Sequence, residues 1–276
     1  MYHDFYQFKE NPFNVTADPE FFFSSDCHRE AFSSLTYGID QRKGVILITG
    51  EIGTGKTTLC RRFLQNPNKQ IKVALILNPD FSEVDLLRLI VQDFGMPTSR
   101  KNKFNLVQSL NHFLLAETAK GSNVVVMIDE AQNLSVKQLE QIRLLSNLET
   151  DKEKLLQIVL VGQPELQEKI NLPELRQLRQ RIAVHFHIQP LSKSDIKSYI
   201  YNRISKAANL PPESLKVQFT EQAIDAVYQF TSGTPRTINM LCDRALLSGF
   251  IQELYSIDET IIENCAREVL YCEHYL

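Results

Sequence analysis

Gly50-Glu51-Ile52-Gly53-Thr54-Gly55-Lys56-Thr57 fits the spacing G-x-x-x-x-G-K-[ST], and Thr58 follows it. Each residue type there has a chemical use. Glycines let the backbone bend until several N–H groups point at one anion. The Lys56 ammonium can reach terminal phosphates, and the Thr57 hydroxyl can ligate magnesium. A helix starting here adds the positive end of its dipole. The run from Gly50 to Thr58 therefore reads as a loop that binds a nucleotide, with Mg2+, by its phosphates.

A second run, Val124-Val125-Val126-Met127-Ile128, ends in Asp129 and Glu130. An acid at the tip of a buried strand is costly without a partner, and a magnesium-bound water supplies one. Asp129 is the expected metal-side carboxylate beside Thr57. Glu130 points elsewhere and can polarise an attacking water as a general base. Water then becomes the expected phosphate acceptor, which argues against a small-molecule kinase. Gln163 directly follows IVLVG, where a polar side chain can sense a terminal phosphate or simply close a strand end. Arg176, Arg179 and Arg181, in PELRQLRQRIAV, spread over more than one helical face, so most should be solvated. Arg181, with Arg179 as the alternative, is the candidate to project past the domain edge toward a neighbouring subunit's nucleotide. In Ser232-Gly233-Thr234-Pro235-Arg236, Pro235 suits the first turn of a helix. That puts the Arg236 cation where it opposes the helix dipole, as if it had an anion to meet.

These side chains need a frame. Short apolar runs at 45–49, 73–77, 124–128, 158–162 and 183–188 suit strands buried on both faces. Helical candidates lie between them. One opens at Ser82 with a capping-box pattern, another spans 104–119, and Ser135 to Glu149 carries Leu139, Ile142, Leu145 and Leu148 at helical spacing. Such alternation implies a parallel sheet flanked by helices. After Pro190-Leu191 the strands are expected to stop and helices to follow at 192–208, 220–230, 235–250 and 258–270. The organisation read is an α/β nucleotide-binding domain over 1–190 and a small all-helical domain over 191–276.

Composition narrows the possibilities. The chain has 276 residues, 43% hydrophobic, with a formal net charge of −3, so it exerts no global pull on nucleic acid. No run is apolar enough to cross a bilayer, and MYHDFYQFKENPF lacks the layout of a secretory leader. A cytoplasmic location is expected, with any membrane attachment made through a partner. Five cysteines (Cys27, Cys60, Cys242, Cys265 and Cys272) form no C-x-x-C pair and read as free thiols. His185 and His187 share a strand face but lack further ligands, so they read as core or edge histidines. Phe21-Phe22-Phe23 reads as packing of the N-terminal segment, and the pairs Arg42-Lys43 and Arg61-Arg62 as solvated.

Together these residues resemble the AAA+ ATPases, and among them the ExeA-type (general secretion pathway protein A) ATPases and their shorter relatives from mannose-sensitive pilus biogenesis. The resemblance rests on FKENPFNVTADPEFFFSSDCHREAFSSLTYGI, GEIGTGKTTL, MIDEAQNLSVKQLEQIRLLSNLET, LVGQPEL, LRQLRQRI and GTPRTINMLCDRAL, and covers about residues 1–250. It implies a P-loop NTPase (AAA+) fold with a parallel five-stranded sheet and a helical lid. It puts Lys56 and Thr57 on Walker A, Asp129 and Glu130 on Walker B, Gln163 on sensor 1, Arg181 on the arginine finger and Arg236 on sensor 2. Pro12 and Phe13 fall where the adenine pocket begins. The implied ligands are ATP and Mg2+. The implied assembly is a head-to-tail homo-oligomer, a ring, that uses ATP hydrolysis to help build a secretion or type IV pilus-like apparatus at the cytoplasmic face of the inner membrane. Longer members continue into a membrane span and a periplasmic peptidoglycan-binding part. This chain shows neither, so it is expected to be either the short pilus-type form or a piece of a longer protein, and direct cell-wall binding is not expected of it. The family shades into transposition-helper (TnsC-like) ATPases, which bind DNA; that alternative needs a basic stripe, and none is visible here. A third alternative is a nucleotide-gated interaction module with little turnover.

Overall fold

The computed structural model describes residues 2–65, 70–79, 81–99, 102–151 and 153–270; Cys272 lies outside them. They belong to two compact units. One comprises His28–Glu51 and Leu59–Ile188, the other Met1–Cys27, Ile52–Thr58 and Gln189–Leu276.

In chain order the first elements are α1 (Tyr2–Tyr6), α2 (Asp26–Asp40), β1 (Val45–Gly50), α3 (Lys56–Leu64), β2 (Ile71–Ile76), α4 (Glu83–Asp93) and α5 (Lys103–Ala119). Next come β3 (Asn123–Ile128), α6 (Val136–Leu145), β4 (Gln157–Gly162), α7 (Pro164–Ile170), α8 (Arg176–Arg179) and β5 (Ile182–Ile188). The chain continues through α9 (Lys193–Ala208), β6 (Gln218–Phe219), α10 (Glu221–Thr231), α11 (Pro235–Ile251), β7 (Ser256–Ile257) and α12 (Glu259–Leu270).

The five apolar runs form one parallel sheet in the order β2-β3-β4-β1-β5, as their composition requires. Every residue of β1, β3 and β4 is buried, because helices cover both faces of a parallel sheet. Side chains of β1, β3 and β4 join Leu87 and Ile90 of α4, Leu110 of α5 and Leu139 and Ile142 of α6 in one core. Register fixes which residues leave the sheet together. Thr49 pairs with Gly162, so Gly50 and Gln163 emerge side by side, while Ile128 pairs with Leu160. The Asp129 N–H adds one more bond to the β2 side, donating to the Ile76 carbonyl at 2.8 Å. Helix starts follow their caps: Ser82 Oγ accepts the Asp85 N–H, and Ser135 with Gln138 forms a full capping box.

In the other unit, α9 to α12 pack around Ile200, Ile204, Val227, Leu241, Leu246 and Ile262, and Tyr6, Phe8 and Phe13 of the N-terminal segment join the same core. The expectation that strands stop at Leu191 needs one correction. β6 and β7 form a two-residue parallel ladder, Gln218 with Ser256 and Phe219 with Ile257. A strand of two residues, one polar and one apolar, leaves no periodic signal, so the sequence could not announce either of them.

Candidate functional site

The phosphate-loop residues are built as their types suggest. Gly50 closes β1, and Lys56 opens α3. Between them Gly53 and Gly55 take φ values of 80° and 95°, a conformation in which L side chains are strained. Thr54 is fully buried and the Lys56 side chain is only 6% exposed, while Thr57 and Thr58 are half-buried and Glu51 and Ile52 exposed. Successive N–H groups in such a turn, ahead of a nine-residue helix, form an anion cradle. The residues present therefore fit a bound polyphosphate.

The cradle is closed on one side by the lid helix of the same unit. The Arg236 N–H, in the first turn of α11, donates to the Gly53 carbonyl at 3.2 Å. A side chain at Gly53 would have its Cβ 2.5 Å from the Arg236 Cβ. The Arg236 guanidinium is carried on an exposed residue. Pro12 and Phe13 also fall in this unit, both buried. The Pro12 carbonyl accepts from Arg203 Nε at 2.6 Å and the Phe13 N–H donates to Asn11 Oδ1 at 2.8 Å. Arg203 is itself buried, donates also to the Asn14 carbonyl, and lies over the rings of Phe21 and Tyr199 at 4.9 and 5.7 Å. Cation–π and carbonyl contacts thus hold this buried charge. Sequence reasoning missed Arg203, since an arginine on a helix face ordinarily reads as solvated.

In the sheet unit, Asp129 is 2% exposed and its Oδ1 accepts the N–H of Glu130 at 2.9 Å. Glu130 is half-buried with φ 52° and ψ 37°. A non-glycine residue in that region costs about 1–3 kcal/mol and persists only where its surroundings enforce it. Gln163, at the tip of β4, reaches back to it, with Nε2 donating to Glu130 Oε2 at 3.2 Å. Gln132 bonds both. Its Nε2 donates to the same Oε2 at 2.5 Å, and its Oε1 accepts the Gln163 N–H at 3.1 Å. The structure thus brings Asp129, Glu130 and Gln163 together and adds Gln132, which lay inside the motif DEAQNL without an assigned role. The hard oxygens of Thr57 and Asp129 are of the kind magnesium takes.

The arginines separate. Arg179, exposed at the end of α8, donates to the carbonyl and Oδ1 of Asn171 at 3.2 and 3.4 Å. Arg181 lies beyond that helix, half-buried, one residue before β5. There it helps hold the Glu149 carboxyl below its ordinary range, behind the larger effect of the hydrogen bond from Lys154. On β5, His187 Nδ1 lies 2.9 Å and His185 Nε2 3.4 Å from Thr49 Oγ1. No group of three metal-ligating side chains occurs among the described residues. Cys27, Cys60, Cys242 and Cys265 are free thiols.

Residues 39–170 match the model of the AAA domain family. Over 270 residues the chain is 42% identical to General secretion pathway protein A of Aeromonas hydrophila, covering 98% of this chain and 48% of that protein. It is 26% identical over 171 residues to ATP-dependent target DNA activator B of Escherichia phage Mu, covering 60% of this chain and 49% of that one. The chain thus spans about half the length of the curated relatives it matches. Among solved structures, the ADP form of the Aeropyrum pernix ORC2 protein superposes with a TM-score of 0.67 over 95% of this chain and 73% of that one, at 15% identity. The Thermotoga maritima RuvB Holliday junction branch migration motor gives 0.57 over 90% and 70%, at 18% identity. These structural likenesses concern the fold.

Proposed function

We propose, from the match of residues 39–170 to the AAA domain family and the similarity to general secretion pathway protein A, that this chain is an ATPase that binds ATP through Gly50–Thr58 and hydrolyses it with Glu130 as the water-activating base. The observation that carries the reading is the Asp129-Glu130 pair at the tip of β3, with Glu130 held in a strained backbone conformation. Lys56 would pair with the terminal phosphates and Arg236 would sense them from the lid helix. Gln163 would report the terminal phosphate to Glu130. Pro12 and Phe13 would flank the base by packing, since the Pro12 carbonyl and Phe13 N–H are already bonded. Magnesium, held by Thr57 and Asp129, would screen the phosphate charge. The domain limits proposed are 1–190 for the nucleotide-binding part and 191–276 for the lid.

Arg181 supports an assembly. Ile182 pairs with Val45 at the start of β1, and Gly50 lies five residues further along that strand, about 17 Å away at roughly 3.3 Å per residue. Arg181 is thus remote from the first residue of its own phosphate loop and suited to the nucleotide of a second copy, in a head-to-tail homo-oligomer. Arg179 is the weaker candidate because Asn171 already engages it. The similarity to general secretion pathway protein A favours work on a secretion or pilus-like apparatus at the cytoplasmic face of the inner membrane, through partner proteins. Among the described residues no helix is long and apolar enough to cross a membrane.

A second reading has one observation behind it, the similarity to the phage Mu target DNA activator. It expects ATPase stimulated by DNA in a salt-dependent way, against a chain of net charge −3.

The test is Glu130→Gln. It should leave ATP affinity intact and slow turnover by about 10²–10⁴-fold, the usual contribution of a positioned general base. Loss of ATP binding would make Glu130 structural. Tight ATP binding without turnover in the unmodified protein would turn the reading toward a nucleotide-gated module.

A further inference from the structure

We infer that Gln132 is a positioning residue that ties the Glu130 carboxylate to the tip of β4 and leaves one defined oxygen for the attacking water. The inference rests on Glu130 being the water-activating base.

Gln132 follows Glu130 by two residues, in the single 3-10 turn Ala131–Asn133. A carboxamide has one donor end and one acceptor end, and here both are used. The donor end bonds Glu130 Oε2 and the acceptor end takes the Gln163 N–H, which fixes the way round the amide sits. The turn is anchored from below, because Lys169 Nζ donates to the carbonyls of Gln132 and Leu134 at 2.6 and 2.8 Å. Room for the amide comes from Gly162, where a Cβ would stand 2.8 Å from Gln132 Oε1. The network therefore runs Lys169, Gln132, Glu130, Gln163, and it closes on the residue that directly follows β4.

Two amide donors, those of Gln132 and Gln163, fall on the same oxygen, Oε2. Oε1 is the oxygen assigned to the water. In the reaction, a water proton passes to Oε1 as the water oxygen bonds the terminal phosphorus. The bond from that phosphorus to the bridging oxygen breaks, and the nucleoside diphosphate leaves. A carboxylate that rotates freely presents either oxygen at any angle, and small misplacements of a catalytic group are costly in rate. Gln132 removes that freedom. Because the same amide also grips the Gln163 N–H, any shift of the β4 tip is carried to Glu130.

The experiment compares Gln132→Met, which keeps volume and removes both bonds, with Gln132→Glu, which keeps an acceptor for the Gln163 N–H and removes the donor to Glu130. Each is made alone and in the Glu130→Gln background, and ATP affinity and turnover at saturating ATP are read on folded protein. Turnover should fall about 10–100-fold, the range seen when a partner orienting a functional ligand is removed, with ATP affinity unchanged. In the Glu130→Gln background neither substitution should lower turnover further, since Gln132 acts through the group already removed. Unchanged turnover in both variants, losses that multiply with Glu130→Gln, or a matching loss of ATP binding would each overturn the inference. If the unmodified protein turns over no faster than Glu130→Gln, the hydrolase reading itself fails and takes this inference with it; the two failures are thereby told apart.

Discussion

The two units hold their functional residues by different physics. In the sheet unit, Asp129, Glu130 and Gln163 stand at the ends of adjacent parallel strands, and backbone ladders set their spacing. In the other unit, residues far apart in sequence are fastened by individual contacts. Tyr2 donates to Asp243, Tyr6 to the carbonyls of Leu246 and Leu254, Arg203 to Pro12 and Asn14, and the Arg236 N–H to Gly53. A ladder shares any disturbance over many bonds; a fastener does not. On the function proposed above, chemistry that needs fixed geometry would sit on the ladder, and the parts that grip would sit on the fasteners.

The sharpest way to break this division is to remove the grip. Lys56→Ala deletes a buried cation from the loop. Losing one partner of a buried charge pair costs about 2–5 kcal/mol, so ATP affinity should fall about 30-fold or more. Binding of a fluorescent ATP analogue measures this, and retained affinity would sink the assignment of the loop. The variant still carries Arg181, and Arg181→Ala still carries the loop. Mixed in one assembly, the two should recover part of the turnover that each lacks alone; assembled mixtures without recovery would confine Arg181 to its own chain.

A pair of glycines compares the units directly. Gly233 has φ 77°, and a Cβ there would meet the Leu191 carbonyl oxygen at 2.0 Å, while that residue's N–H is bonded to the Gly233 carbonyl. Gly95 in the sheet unit has a similar φ of 79° with nothing within 4 Å. Gly233→Ala should therefore cost about 3 kcal/mol or more, and Gly95→Ala about 1 kcal/mol, the conformational part alone. Denaturant midpoints give both values. Equal shifts would mean that the Leu191 contact yields easily and that the fasteners are softer than described.

How far each unit could be read from sequence follows from the same division. Strand tips are local: the polar residue ending an apolar run is the one at the tip, so Asp129, Glu130 and Gln163 were legible, and the five runs gave the five strands. Helix ends were less so. The helix expected over 135–149 stops at Leu145, where Ser146 Oγ donates to the Arg143 carbonyl and competes with the helical pattern. The orientation of the Gln132 amide has no sequence signature, because it depends on the Gly162 surface against which it packs. Fasteners join positions up to 248 residues apart, and nothing in the local pattern around Tyr6 or Arg203 names the partner.

Acid and alkali should address the two units separately, which is the smallest effect and the finest comparison. His185, in the sheet unit, has its pKa lowered, first by burial and then by His187. The fold binds that proton more weakly than the unfolded chain, whose ordinary value is about 6.5. Its contribution is present above that value and is lost as pH falls below it. The carboxyls lowered in this unit, Glu117 by its bond from Lys120 and Glu149 by that from Lys154, act only near pH 4.5 and below. Tyr6, in the other unit, is pushed up to about 12 by burial. The fold holds its proton more tightly, so this contribution is present below pH 10 and is lost as pH rises toward 12. His185→Gln should accordingly flatten the stability profile as pH falls below about 6.5 and leave the alkaline side alone. Tyr6→Phe should flatten only the alkaline side, on a midpoint lowered throughout by the lost bonds to the Leu246 and Leu254 carbonyls. Denaturant titrations across pH would show both limbs, and a change in the wrong limb would overturn the assignment of that limb to its residue.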